Sequence, residues 1–185
     1  MKYIILSVLS LFLLRMGALS QKNEKTFVVV SYNVENLFDT VNSPLFEDDD
    51  FTPAGSRQWT YERYEKKVGD LAKVIRSVHE KELPALIGLA EVENRQVLGD
   101  LIRQRGVRRG DYRIVHEDGE DPRGIECALL YRPDLFSYRS HKYIPIDDPV
   151  DPDYPYRGIL HVSGRGPDGS SLHLFVNHWK SRSGG

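Results

Sequence analysis

Four clusters of polar residues stand where strand-forming runs begin or end. Asn33, Glu35 and Asn36 follow the apolar run Phe27-Val28-Val29-Val30-Ser31-Tyr32, and Glu91, Glu93 and Asn94 follow Ala85-Leu86-Ile87-Gly88-Leu89-Ala90. Asn177-His178-Trp179-Lys180-Ser181-Arg182 closes a run that starts at Leu172, and Asp121-Pro122-Arg123-Gly124-Ile125-Glu126 leads into Cys127 to Tyr131. Taken singly, each has an ordinary structural role. Asn33 and Asn36 suit a turn, Glu93-Asn94 suits a helix start, and Asp121 to Gly124 has turn chemistry. Together they offer a carboxylate, amides, a guanidinium and an imidazole. Oxygen donors of this kind suit Mg²⁺, Mn²⁺ or Ca²⁺ rather than zinc. An arginine and a histidine beside such an ion would stabilise a phosphoryl group that gains charge.

The elements that must carry these groups can be read from periodicity. Phe27 to Tyr32 and Ala85 to Ala90 are continuous apolar runs, the pattern of strands buried on both faces. Between them, Tyr64, Val68, Leu71, Ala72, Ile75 and Val78 recur at steps of three and four and predict a helix capped by Thr60. Asn94 caps a shorter helix with Val97, Leu98, Leu101 and Ile102 on its apolar face. After Tyr112 the texture changes to short strands: Tyr112 to His116, Cys127 to Tyr131, Phe136 to Tyr143, Ile159 to Val162 and Leu172 to Asn177. Gly166-Pro167-Asp168-Gly169 predicts a hairpin turn between the last two. The order βαβα followed by a meander predicts an α/β fold with a mixed sheet and two main helices.

Composition bounds the rest. Of 185 residues, 40% are hydrophobic and 28% charged, an ordinary globular balance. The net charge of −2 excludes a generally basic nucleic-acid-coating protein, though not a locally basic groove. The single cysteine, Cys127, excludes an internal disulfide and a Cys-cluster metal site. Residues 1–20 read as a secretory signal peptide, with Lys2, an apolar run and Ala18-Leu19-Ser20 before Gln21. Arg15 interrupts that run too early for a membrane anchor. Its removal leaves 23 basic against 27 acidic side chains, so the mature protein is expected to be mildly acidic, exported, and periplasmic or extracellular.

Tyr32-Asn33-Val34-Glu35-Asn36-Leu37-Phe38-Asp39, Leu89-Ala90-Glu91-Val92-Glu93-Asn94, Arg123-Gly124-Ile125-Glu126-Cys127-Ala128-Leu129-Leu130-Tyr131-Arg132-Pro133 and Val176-Asn177-His178-Trp179-Lys180-Ser181-Arg182 resemble, in order, consecutive blocks of the endonuclease/exonuclease/phosphatase superfamily, and most of all its secreted bacterial branch. The resemblance implies a four-layer α/β sandwich and a metal-dependent phosphoesterase of nuclease or phosphatase type. It implies Glu91 as the principal metal ligand, Asn33 as a contact to metal or phosphate, and Glu35 as support for the metal site. It implies His178 as a catalytic donor to the scissile phosphate or leaving group, with Glu126 as the carboxylate that orients it and raises its pKa. Arg123 is assigned to phosphate from its chemistry, with a plain turn role as the alternative.

The blocks cover the first part of such a domain. A Gly-Asp-Phe-Asn-Asp-like segment and a final Ser-Asp-His-like segment complete the family's site, and neither occurs in this sequence. Residues 21–185 are therefore expected to form a C-terminally truncated domain that is inactive on its own. The expected partner is a phosphate-ester substrate, nucleic acid among the candidates, with no stable membrane anchor and no obligate protein partner. The alternative is a non-catalytic secreted binding module that retains the fold.

Overall fold

The structure, a computed structural model, describes residues 26–119, 121–147, 149 and 156–179. The expected signal peptide, residues 1–20, lies outside them, as do Lys180, Ser181 and Arg182. Among the described residues no helix is long and apolar enough to cross a membrane.

The chain runs through β1 (Val29–Leu37), α1 (Tyr61–Ser77), β2 (Leu86–Val92), α2 (Arg95–Arg103), β3 (Arg113–Val115), β4 (Glu126–Tyr131), β5 (Ser137–Ile144), β6 (Ile159–Arg165) and β7 (Ser171–Val176), with short 3₁₀ turns at Asp49–Phe51 and Arg108–Gly110. Two sheets form. The first has the order β1-β2-β4-β3, with β1 and β2 parallel and the other pairs antiparallel; the second has the order β5-β6-β7 and is antiparallel throughout. The expected mixed sheet and two main helices are therefore present. The expected hairpin joins β6 to β7, with Gly169 at φ +82°, a turn conformation that glycine adopts without the clash a Cβ brings.

The first sheet is buried on both faces, as its apolar runs required. On one face Ile87, Leu89, Ala128 and Leu130 pack against Tyr64, Val68, Leu71, Ile75, Val97, Leu98 and Leu101 of the helices. On the other, Leu86, Ala90, Cys127 and Leu129 pack against Leu160 and Val162 of β6, with Leu174 and Val176 of β7 at the edge. The described residues thus supply three layers of the expected sandwich: helices, first sheet and second sheet. At Gly88 the two sheets approach closely, for a Cβ there would lie 3.2 Å from Cγ2 of Val176.

Helix starts differ in their chemistry. The Asn94 side chain accepts from the backbone N–H groups of Gln96 and Val97, so α2 is capped as its sequence predicts. Thr60 occupies the N-cap position of α1 but makes no side-chain cap, and Val78, expected on the apolar face, is 44% exposed just past the helix end. Burial of the Tyr64 to Ile75 stripe holds α1 instead.

Candidate active site

One end of the two sheets collects the chemistry. β1 and β2 run parallel and finish there; β4, antiparallel to β2, begins there; β7 finishes there and β6, antiparallel to β7, begins there. Asn33, Glu91, Glu126, Arg157 and His178 are brought together by these five strand ends.

Both β1 and β2 break register at this end. Val30, Tyr32 and Val34 alternate toward the helices, and then Leu37, of opposite parity, faces the same way. In β2, Leu89 faces the helices and so does Val92, again out of parity. The extra residues are Glu35-Asn36 and Glu91, all in the left-handed region at φ +56°, +61° and +66°. Non-glycine residues in that region carry roughly 1–3 kcal/mol of strain each, and such strain gathers at functional sites. Here the bulges turn polar side chains out of the sheet while the apolar neighbours stay in the core.

Glu91 is the centre of the cluster. Its Oε1 accepts from Asn33 Nδ2 at 2.9 Å, and its Oε2 accepts from the Asn36 backbone N–H at 2.8 Å. Asn33 Oδ1 accepts from the Glu35 N–H at 2.8 Å, which closes the turn. His178 Nε2 lies 3.3 Å from Glu91 Oε1. The Nδ1 of His178 meets Arg157 Nη1, and because a guanidinium only donates, Nδ1 is the bare nitrogen and Nε2 carries the hydrogen toward Glu91. Burial and the Arg157 charge lower the imidazole pKa, with Glu91 pulling the other way.

That arrangement corrects the expectation for Glu126. Its carboxylate does not touch His178. It is buried, with Oε1 accepting from the Asp121 backbone N–H at 3.2 Å and Oε2 without a hydrogen-bond partner among the described residues. Burial pushes its pKa up to about 7, against the pull of that hydrogen bond. The place beside His178 is held by Arg157 and Glu91, so the imidazole pKa goes down where an orienting carboxylate alone would raise it.

Asp121 anchors the two arginines. Its Oδ2 accepts from Arg157 Nε at 2.5 Å, and its Oδ1 from the Arg123 backbone N–H at 2.9 Å, with Arg123 Nε at 3.4 Å. Desolvation raises the Asp121 pKa, but the Arg157 hydrogen bond and the Arg123 N–H outweigh it and the net shift is downward. Arg123 is thus tied into the turn that opens β4, with half its side chain exposed. Glu35 points elsewhere, lining a pocket beside Lys67. Cys127 is buried, its thiol pushed up to about 12 by desolvation, which suits an inert core residue.

Arg157 and the role of Asp121 were not visible in the strand-end pattern. No apolar run precedes Arg157. The hairpin does give a signal: with Arg165 paired to Ser171 and Leu160 to Val176, the same register sets residue 158 opposite His178. Among the described residues no three His, Cys, Asp or Glu side chains converge into a metal-binding group. The donor set still fits a hard cation of the Mg²⁺ kind, which is commonly held by one or two carboxylates and completes its shell with water and substrate phosphate.

Solved structures of similar fold include ANGEL2, a 2′,3′-cyclic phosphatase, at 16% identity and a TM-score of 0.51, covering 80% of this chain and 39% of that one. An endonuclease/exonuclease/phosphatase family protein from Bacteroides thetaiotaomicron matches at 20% identity and a TM-score of 0.48, covering 80% and 48%. A mannosyl-6-phosphatase from the same organism matches at 19% and 0.48, covering 81% and 50%. This chain therefore spans half or less of the length of these structures. No curated protein matches it. A family model matches residues 28–185, from the start of β1 through the His178 block, and by that match the chain belongs to the endonuclease/exonuclease/phosphatase family.

Proposed function

We propose that this chain carries the metal-binding and phosphate-orienting part of a divalent-metal-dependent phosphoesterase site, Mg²⁺ or Mn²⁺ being the ion that fits best. The observation that carries the reading is the Glu91 carboxylate, turned out of a bulged strand, bonded to Asn33 and Asn36, and 3.3 Å from His178. Glu91 would hold the cation, with Asn33 beside it and Glu35 turned away into the neighbouring pocket. When bound, the cation neutralises phosphate charge and polarises the P–O bond.

The chain's own residues then have separate tasks. Arg157 keeps His178 in the Nε2–H tautomer, and that N–H donates to a phosphoryl oxygen or leaving group as charge develops. Asp121 holds Arg157 in place. Arg123, half exposed at the mouth, is available to a non-bridging phosphate oxygen. Glu126 acts on Asp121 rather than on substrate. Water attack needs a group that orients the water. Neither of the two further segments that complete the family's site occurs in this sequence, so residues 21–185 are proposed to bind cation and phosphate without turnover.

The test is hydrolysis of bis(p-nitrophenyl) phosphate with Mg²⁺ by the longest natural form of the protein. Glu91→Gln and His178→Ala should each lower kcat by at least about 100-fold. Activity in both variants equal to wild type would remove the proposed site. No turnover in the wild type, with metal binding intact, would favour the binding-module alternative. Turnover by residues 21–185 alone, abolished by Glu91→Ala, would overturn the claim that they lack a water-orienting group.

A further inference from the structure

A second basic feature adjoins the Glu91 site and is not used by it. A pocket of about 290 Å³, at the lower end of ligand-pocket size, is lined by Arg57, Arg63, Lys67, Phe51, Trp59 and Asn36. Asn36 is the shared wall, because its N–H donates to Glu91. Glu35 also lines the pocket, so three cations face one carboxylate. A groove of about 390 Å³ extends from it along α1, sharing Trp59, Arg63 and Lys67 and passing Tyr32.

The cations are built in place without acid partners. Arg57 lies over the Phe51 ring at 4.8 Å, and Arg63 over the Trp59 ring at 5.6 Å. Arg63 Nη1 also donates to the carbonyls of Arg57 and Gln58, and Trp59 is pinned by its Nε1–H to the Phe38 carbonyl at 3.1 Å. Among the described residues none of Arg57, Arg63 and Lys67 forms an ion pair, whereas Lys66 and Lys73 pair with Asp70, and Arg103 with Asp100. Rings and carbonyls fix the guanidinium planes and leave their charge unneutralised, the condition for capturing an anion. Lys67 is held partly out of water, which lowers its pKa, while Glu35 and Glu91 pull the other way.

We propose that Arg57, Arg63 and Lys67 form a second anion subsite that holds a non-scissile phosphate, so that the preferred substrates carry at least two phosphate groups. This rests on the phosphoesterase reading: one phosphate sits at Glu91 and His178, and another lies across Asn36 in the pocket. The second phosphate could belong to a nucleic-acid strand or to a bisphosphorylated small molecule, and its recognition is the same in either case.

The experiment is a fluorescence titration of the 185-residue chain in a Trp179→Phe background, which leaves Trp59 as the sole tryptophan. Inorganic phosphate is added in EDTA. A saturable change is expected, weakened at least tenfold in the Arg57→Gln/Lys67→Gln variant and retained or strengthened in Glu91→Gln. Phosphate binding that survives in the double variant, or is lost in Glu91→Gln, would overturn the subsite. Mn²⁺ affinity of the same protein variants, measured in buffer free of EDTA and phosphate, reads the phosphoesterase proposal separately: it should fall in Glu91→Gln and stay within about twofold in the double variant. Circular dichroism of both variants confirms that loss of signal is not loss of fold. A second arm adds thymidine trinucleotide or a hexose bisphosphate. Binding at least tenfold tighter than inorganic phosphate for one of them supports the proposal and names the source, and no gain for either contradicts a two-phosphate substrate.

Discussion

Glu91 illustrates how one residue serves two demands that conflict. Its left-handed backbone at φ +66° favours glycine, yet the site needs a carboxylate there. Side-chain loss and backbone strain can be separated by two substitutions. Glu91→Ala and Glu91→Gly both remove the carboxylate, but the glycine variant should be more stable by about 1 kcal/mol, since only the alanine keeps the Cβ clash. Chemical denaturation of the two checks this, and an alanine variant at least as stable as the glycine variant would contradict the strained bulge. Glu126 gives a pH prediction. Its folded pKa of about 7 lies above the ordinary carboxyl value, so its contribution is fully present below about pH 4.5 and is lost as pH rises through 7. Glu126→Gln should therefore match wild type near pH 4 and exceed it by about 3 kcal/mol at pH 8. A stability difference that does not change with pH would show that Glu126 ionises as freely in the folded chain as in the unfolded one. At this scale the meeting of strand-end groups was legible: Asn33 and Glu91, which follow two separate apolar runs, are hydrogen-bonded to each other. The partner of His178 was not, because sequence distance hides which charge a strand pairing brings close.

At the scale of elements, the site depends on strand ends and the short turns between them. The buried Asp121–Arg157 pair joins the turn before β4 to the chain entering β6, with side chains 6% and 11% exposed. Removing one member leaves a buried charge, so Asp121→Ala should cost about 3 kcal/mol of stability and free Arg157 from its position at His178. Thermal unfolding measures the cost, and a loss below about 0.5 kcal/mol would show the pair to be effectively solvated. Helix α2 was readable to its cap, since Asn94 acts locally on Gln96 and Val97. The end of β1 was harder. The apolar run stops at Tyr32, but pairing with β2 carries the strand to Leu37 across the bulge. Local pattern gives a strand where residues alternate, whereas a bulge is paid for by contacts distant in sequence. The Glu93 carboxyl shows the same limit. It reads as a helix start, yet it is buried and accepts from the Asp39 N–H at 2.6 Å, with its pKa pushed up to about 7 by desolvation against that bond.

For the whole molecule, the site exists only because two sheets meet face to face. Glu91 belongs to the first and His178 follows the second, so their 3.3 Å separation reports the packing between layers. Gly88, opposite Val176, sets that spacing. Gly88→Val should push the sheets apart, lower stability by about 1–3 kcal/mol, and weaken metal binding although no ligand changes. Unchanged unfolding and unchanged Mn²⁺ affinity would show that the sheets have room to spare. The α/β class and the two-sheet expectation were legible from the order of runs and from the motif blocks, whereas the packing between sheets, which brings Glu91 of the first to His178 after the second, depends on contacts that no local pattern encodes. The central claim, that Glu91 holds a divalent cation, is tested most directly by titrating Mn²⁺ into the 185-residue chain and its Glu91→Gln variant by isothermal calorimetry. We predict saturable binding in the wild type and at least tenfold weaker binding in the variant; equal affinity in the two would contradict the account.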